Sequence, residues 1–163
     1  MKKFYLSFVT FLLVGLVLHA QTTITLQPDS AAGKDARIDS YFPNSNYGTY
    51  PEFLAGMWTS GGVWFTVRTL AQFDLSGIPA NSVVNSAVLS LYFNPNNSNF
   101  NHVHSGTNIS YIQRVTANWQ ENTVTWNNQP ASTTQNQATV PSSSTGSQDY
   151  PNIDVTQLVA DMK

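Results

Sequence analysis

Two segments in the middle of the chain alternate apolar and polar residues with the period of two that is typical of β-strands. In residues 87–93 every odd-numbered residue is apolar. In residues 64–75 the odd-numbered positions are mostly apolar, whereas the even-numbered ones are mainly polar and are interrupted by Leu70. We therefore predict two half-buried strands that share one core. The inward face of the longer strand would carry Phe65, Val67, Ala71, Phe73 and Leu75.

Weaker strand patterns and turn residues occupy much of the remaining chain. The weaker strand candidates are residues 23–26, 36–40, 52–57, 109–115 and 123–126. Polar turns that contain Asn, Gly and Pro separate them at intervals typical of a β-sandwich. The polar run 131–148 has the composition of a linker, but the segment after it is too short for a second domain. The expected fold class is therefore an all-β antiparallel sandwich.

The last residues have the spacing of a short amphipathic helix. Asp154 is a suitable N-cap with Gln157 three residues later, and apolar residues recur at helical spacing from Val155 to Met162. We predict one C-terminal helix that begins near Val155. Neither a C-cap glycine nor a closing strand precedes Lys163, so we expect that the native domain is truncated here.

The N-terminal residues have the features of a secretory signal peptide. Lys2 and Lys3 precede an apolar stretch, and Ala20 ends a suitable cleavage site. The alternative, an uncleaved anchor, is less favoured because the apolar core is short for a membrane span. We therefore predict a signal peptide at 1–20 and one domain at 21–163, in a protein that is secreted or displayed on the cell surface without a membrane span after cleavage.

The composition excludes several classes of function. Only 10% of the residues are charged, whereas Ser, Thr and Asn number 17, 17 and 16. Seven basic residues against nine acidic ones provide no basic stripe for nucleic acid. Removing Lys2 and Lys3 leaves five basic residues, so the mature net charge is −4. The absence of cysteine excludes disulfides, a zinc ribbon and a thiol enzyme.

Four segments, in order, resemble one family. They are residues 35–49 with Asn-Tyr-Gly, residues 70–91 with Phe-Asp-Leu-Ser and Ile-Pro, residues 119–130 with Trp-Gln-Glu and Thr-Trp-Asn-Asn-Gln-Pro, and residues 154–159 with Asp-Val-Thr. Together they resemble the DNRLRE domain family, which is grouped with carbohydrate-binding module family 96 and related to archaeal disaggregatase repeats. The resemblance implies a jelly-roll β-sandwich from secreted, often multidomain bacterial proteins, some of which bind polysaccharide.

The signature residues of these segments have two interpretations. Trp119 and Trp126 could stack on sugar rings beside Glu121, because a flat aromatic ring covers the apolar face of a pyranose. The favoured interpretation is structural, because a motif that defines a fold usually serves the fold. We assign the structural role to the signature residues Phe73, Asp74, Pro79, Trp119, Glu121, Trp126, Asn127 and Pro130.

Better ligand candidates are aromatic residues in predicted loops or on strand faces opposite the core. They lie within 24 positions, interleaved with asparagines, and form the candidate set Tyr41, Asn44, Asn46, Tyr47, Tyr50, Trp58 and Trp64. The competing interpretation is that these rings fill space beneath loops. We predict that they line a glycan-binding groove.

Metal and catalytic signals are weak. His102 and His104 form a His-x-His pair without a third ligand nearby in sequence. Three aspartates could bind a structural calcium, but Asp29, Asp35 and Asp39 match no defined loop. No pair of carboxylates and no nucleophile elbow identifies a catalytic site. We therefore expect no cofactor, with a structural calcium left open.

The leading hypothesis is a non-catalytic module that binds a neutral or mildly charged polysaccharide. The scarcity of Lys and Arg argues against alginate as the ligand. One alternative is a structural or adhesive β-sandwich that spaces other domains of a longer chain. Another is the accessory domain of a polysaccharide-degrading enzyme whose catalytic part lies beyond Lys163. The functional inference rests on analogy of fold.

Overall fold

The computed structural model describes residues 21–27, 33–96 and 106–163. Within these ranges the chain forms seven strands and one short helix. Their bounds are β1 Gly33–Asp39, β2 Gly56–Ser60, β3 Val63–Phe73, β4 Val88–Leu91, β5 Ser110–Val115, β6 Ser132–Val140, β7 Tyr150–Asp154 and α1 Thr156–Met162. The prediction of a mostly β protein with one C-terminal helix is thus confirmed.

The strands form three small antiparallel sheets. One has the strand order β1-β3-β2, the second pairs β4 with β7, and the third pairs β5 with β6. Across the described residues these sheets do not join into a closed double sheet. Antiparallel pairing is therefore established, whereas closure as a jelly roll stays a prediction.

The first core cluster corrects the predicted inward face of the long strand. In the β1–β3 register, Ala36 lies opposite Leu70, and both pack with the buried residues Ile38, Trp119 and Val124. Leu70, which interrupted the predicted polar face, therefore faces this core. Phe65, Val67, Ala71 and Phe73 of the predicted inward face lie on the opposite side of β3, because neighbouring residues of a strand point in opposite directions. Leu75 follows the end of the strand.

The second core cluster joins the two-stranded sheets to the helix. Its buried residues are Ala138, Val140, Ile153 and Leu158. The helix begins one residue later than Asp154 would require as its N-cap, and the N-cap position is Val155 without a side-chain cap. Asp154 still accepts the Thr156 amide at 2.9 Å. The helix therefore starts one residue later than predicted, and Asp154 binds its first amide from the position before the N-cap.

Several weaker strand predictions are wrong. Residues 23–26 and 123–126 form no strand, and β2 begins four residues later than the predicted segment at 52. The polar run 131–148 contains β6, although its composition indicated a linker. Backbone pairing with β5 stabilises β6 without an apolar residue at every second position.

No helix among the described residues is long and apolar enough to cross a membrane. Residues 1–20, with the predicted signal peptide, lie outside the described residues.

Candidate functional site

The three-stranded sheet has two chemically different faces, and they separate the candidate residues. We call the side that carries Asp35, Arg37 and Asp39 of β1 the Asp39 face. The other side carries Lys34, Ala36 and Ile38 of β1 and is called the Trp64 face, because Trp64 and Arg68 lie on it in β3. The Trp64 face packs at one end on the segment 115–126 through the first core cluster.

Trp58 and Trp64 lie on opposite faces, although both belong to the β2–β3 hairpin. Trp58 is directly opposite Phe65, whereas Trp64 is opposite Thr59. Phe65 and Trp64 are consecutive, so their side chains point to different sides of the sheet. One groove on a single sheet face therefore cannot include both tryptophans.

The Asp39 face carries a small aromatic group around Phe65. The ring centroids of Tyr41 and Phe65 are 5.3 Å apart, and Tyr41 also meets Phe42 edge-on at 4.8 Å. Trp58 joins this face through its register opposite Phe65. The Tyr41 amide donates to Asp39 Oδ1 at 2.8 Å, which fixes the loop that leaves β1.

Tyr47 and Tyr50 hold an arginine. Arg37 Cζ lies 4.8 Å from the Tyr47 ring centroid and 4.7 Å from that of Tyr50, and the guanidinium forms an ion pair with Asp39 at 2.5 Å. Burial raises the pKa of the Tyr50 phenol, and the Glu52 carboxylate adds to this while Arg37 opposes it. These two tyrosine rings therefore contact a side chain of the protein itself.

The candidate asparagines connect the loop after β1 to the signature segment 119–130. Asn46 Nδ2 donates to the carbonyl oxygens of Glu121 at 2.8 Å and Val124 at 2.7 Å. Asn44 Oδ1 accepts from Asn127 Nδ2 at 2.7 Å. Within the described residues these amide groups thus have partners in the fold.

The signature residues Trp119 and Glu121 pack against the start of β1. Trp119 is only 7% exposed, and Lys34 Nζ donates to its carbonyl oxygen at 2.6 Å while lying over its ring. Glu121 Oε1 accepts the Asp35 amide at 3.0 Å. Burial, with a further contribution from Glu121, raises the pKa of the Asp35 carboxyl.

The remaining signature residues lie at the end of β3, in the turns that follow it and in the turn before β6. Phe73 is half-buried as the last residue of β3, and Pro130 is half-buried before β6. Asp74 Oδ1 accepts the Ser76 amide at 2.9 Å, and hydrogen bonds from the Ser76 backbone and side chain lower the Asp74 pKa. Pro79 accepts the Ser82 amide through its carbonyl oxygen at 3.0 Å.

Trp64 is the most exposed tryptophan of the described chain. Trp64 is 72% exposed, and Met57, two residues before Thr59 on β2 and on the same face, is 67% exposed. This end of the Trp64 face lies past the core cluster that covers Ala36 and Ile38. A wide, flat indole is therefore open to solvent on a regular stretch of sheet.

Arg68 and Trp126 form a polar and aromatic pair on the same face. Arg68 Cζ lies 4.8 Å from the Trp126 ring centroid, and its Nη1 donates to Gln129 Oε1 at 2.8 Å. Arg68 is exposed and Trp126 is half-buried. Arg68 is not among the site residues predicted from the sequence, although its even spacing from Trp64 in a strand is a signal for a shared face.

The open space next to this sheet is much larger than a usual small-ligand pocket. The open space between the sheets has a volume of about 3990 Å³ and is lined by residues from all three of them. Ligand pockets are typically about 300–1,000 Å³. A ligand site on the sheet is therefore better described as a surface than as a pocket.

Metal ligands do not converge in the described part of the chain. No group of three His, Cys, Asp or Glu residues could hold an ion there. Glu52 is 9% exposed, and its Oε2 has no hydrogen-bond partner among the described residues. Asp29, His102 and His104, which were considered as ligands from the sequence, lie outside the described residues.

Comparison with known protein families identifies a match that covers most of the chain. The model of carbohydrate-binding module family 96 matches residues 27–163, so the chain belongs to that family. The resemblance inferred from the four sequence segments is thereby confirmed for this family. Neither a curated protein nor a solved structure matches the chain significantly.

Proposed function

We propose that the chain is a non-catalytic, polysaccharide-binding module of an exported protein, and that the polysaccharide lies on the Trp64 face. Membership of a carbohydrate-binding module family supports the class of function. The observation that carries the location is the 72% exposure of Trp64 on a regular strand. The predicted signal peptide at 1–20 supports export.

A flat indole on a sheet suits the apolar face of a sugar ring. Stacking removes apolar surface of both partners from water, while neighbouring hydroxyls remain available for hydrogen bonds. Thr59 lies directly opposite Trp64, and Thr66 follows on the same face. These hydroxyl side chains provide donors and acceptors beside the ring.

The other aromatic candidates are less suitable as a primary contact. Tyr47 and Tyr50 enclose Arg37, and Trp119 is a core residue. Covering them with a sugar would first require that these internal contacts be broken. Trp64 requires no such change because most of its side chain is already exposed.

The charge of the protein supports a neutral polysaccharide as the ligand. The mature net charge of −4 disfavours attraction of a polyanion at long range.

The alternatives inferred from sequence, a spacer domain and an accessory domain of a larger enzyme, differ in what they predict for binding. A spacer would bind no polysaccharide, whereas an accessory domain would bind as proposed here.

Affinity electrophoresis tests the proposal. The protein is run through gels that contain β-glucan, galactomannan, arabinoxylan, alginate or carrageenan, which cover neutral, uronate and sulfated polymers. We expect retardation by at least one neutral polymer and a loss of affinity of about tenfold in Trp64→Ala, which corresponds to about 1.4 kcal/mol. Tyr92→Ala is the matched control, because Tyr92 is a similarly exposed aromatic residue at 71% that lies next to β4.

Each outcome has a distinct meaning. Equal retardation of the wild type and Trp64→Ala would contradict the location on the Trp64 face. A matching loss in Tyr92→Ala would indicate nonspecific adhesion of exposed rings. The absence of retardation in every gel would favour the spacer alternative and reject the proposed function.

A further inference from the structure

We propose that Arg68, supported by Trp126 and Gln129, forms a second glycan subsite, so that the ligand runs along β3 from Trp64 to Arg68. This inference rests on the proposed function and extends it from one stacking contact to a site with a direction and a minimum ligand length. The acceptors at Arg68 are hydroxyl oxygens of a neutral polysaccharide chain.

The geometry of β3 places the two contacts on one line. Trp64 and Arg68 are four residues apart in a strand that pairs without a register shift on both sides. Four residues of antiparallel strand span about 13.6 Å at roughly 3.4 Å per residue, and side chains at even spacing share a face. The two contacts are therefore farther apart than one sugar ring can bridge.

Arg68 retains hydrogen-bonding capacity after its contacts inside the protein are counted. A guanidinium has five N–H donors in a planar fork. One donor is used by Gln129 Oε1, and within the described residues no carboxylate forms an ion pair with Arg68. The exposed guanidinium therefore has donors free to meet ligand hydroxyls.

The ring beneath the guanidinium restricts its position. The contact with Trp126, with Cζ 4.8 Å from the ring centroid, and the bond to Gln129 hold the guanidinium over the indole. A long side chain that is ordered before binding loses less conformational entropy when it contacts a ligand. The pair thus acts as a pre-organised polar platform beside the stacking ring.

Charge is segregated between the two faces of the sheet. The three strands contribute Lys34 and Arg68 but no carboxylate to the Trp64 face, whereas Asp35 and Asp39 lie on the other face. Lys34 is engaged with Trp119 at the far end of β1. Of the two charged residues on the Trp64 face, Arg68 is therefore the one nearer to Trp64 in the sequence.

A ladder of oligosaccharides tests the second subsite. Fragments of increasing length, prepared from the neutral polymer that most retards the wild type, are titrated by calorimetry. We expect the wild-type affinity to be about tenfold higher for the shortest fragment that reaches both Trp64 and Arg68 than for the longest fragment that does not. In Arg68→Met this increase should disappear while the affinity for the shortest binding fragments stays unchanged, because Met preserves an apolar stem over Trp126.

Two further variants separate the contributions. Lys163→Met removes one positive charge at Ser82, away from the three-stranded sheet, and should leave the length dependence as in the wild type. Arg68→Lys retains the charge but not the fork, and should recover less than half of the lost affinity. The increase with length should persist at high salt, since hydroxyl acceptors carry no charge. Loss of the increase at high salt would contradict the assignment to hydroxyls.

The experiment distinguishes failure of the inference from failure of the proposed function. An unchanged length dependence in Arg68→Met, with binding still lost in Trp64→Ala, would overturn the second subsite alone. A uniform loss for all fragments in Arg68→Met would also overturn it, because a purely structural role acts on every ligand length. A wild-type chain that binds no polymer would reject the proposed function.

Discussion

Gly48, in the loop between β1 and β2, is in direct backbone contact with Glu121 of the signature segment. A Cβ added to Gly48 would lie 2.2 Å from the Glu121 carbonyl oxygen. Beside it, Asn46 donates to the same oxygen. The Asn-Tyr-Gly turn therefore requires glycine for space, and its close approach holds residues 119–130 against β1.

Replacing Gly48 by alanine should destabilise the fold. The backbone at Glu121 would have to move, and overpacking of this kind typically costs about 1–3 kcal/mol. Urea denaturation measures the change in the free energy of unfolding. Gly56→Ala is the control, because its added Cβ meets nothing within 4 Å. Equal free energies of unfolding for the two variants would show that the close approach of Gly48 to Glu121 does not contribute to stability.

Asn46→Ala should reduce stability by about 1–3 kcal/mol, because two backbone carbonyl groups lose their amide donor. Asn44→Ala loses a single exposed bond to Asn127 and should cost less than half as much. Both values come from urea denaturation. A large loss of glycan binding in Asn46→Ala without a loss of stability would instead support its predicted role as a ligand contact.

Truncation of two tryptophans should have very different effects on the free energy of unfolding. Trp119→Ala should cost about 3–5 kcal/mol, as expected for a large core residue, since Trp119 is buried against Ala36 and Ile38. Trp64→Ala should change the free energy of unfolding by less than about 0.5 kcal/mol, because its ring is exposed. Thermal and urea denaturation of both variants measure this difference. Strong destabilisation by Trp64→Ala would indicate that the Trp64 ring is part of a core.

Two carboxyl groups should affect stability with opposite signs. Burial raises the pKa of Asp35 above 3.8, so its ionisation opposes folding and Asp35→Asn should stabilise the protein at pH 7. The gain should vanish as the pH falls below 3.8, where the carboxyl is protonated in both states.

Asp74 is the matched comparison. Hydrogen bonds from Ser76 lower its pKa below 3.8, so its ionised form supports folding above that pH and this support is lost on acidification. Asp74→Asn should therefore reduce stability at pH 7. Urea denaturation across the pH range measures both signs, and the same sign for both variants would contradict these assignments.

Period-two alternation predicted β3 and β4, because each has an apolar side and a more polar one over several residues. The face of β3 that meets the first core was predicted incorrectly. Leu70 faces that core because β1 supplies Ala36 and Ile38 on the same side, and this pairing is not encoded within β3 itself. The strand β6 was missed because Thr, Asn and Gln dominate its sequence.

The candidate site was predicted only in part from the sequence. Trp58 and Trp64 were grouped because they are close along the chain. In the hairpin, however, Trp58 pairs with Phe65, the neighbour of Trp64, and the two tryptophans therefore lie on opposite faces. Arg68 was not selected because its relation to Trp126 depends on packing of the signature segment on the sheet. The glycan-binding role of the candidate residues stays a prediction.

The most direct test of the central claim is a titration followed by NMR of the four tryptophan indole N–H signals. The four indoles report on three places: Trp58 on the Asp39 face, Trp64 and Trp126 on the proposed site, and Trp119 in the core. With a neutral oligosaccharide long enough to reach both subsites, the Trp64 and Trp126 signals should shift in a saturable manner while those of Trp58 and Trp119 stay in place. A saturable shift of Trp58 without one of Trp64 would contradict the claim that the ligand lies on the Trp64 face.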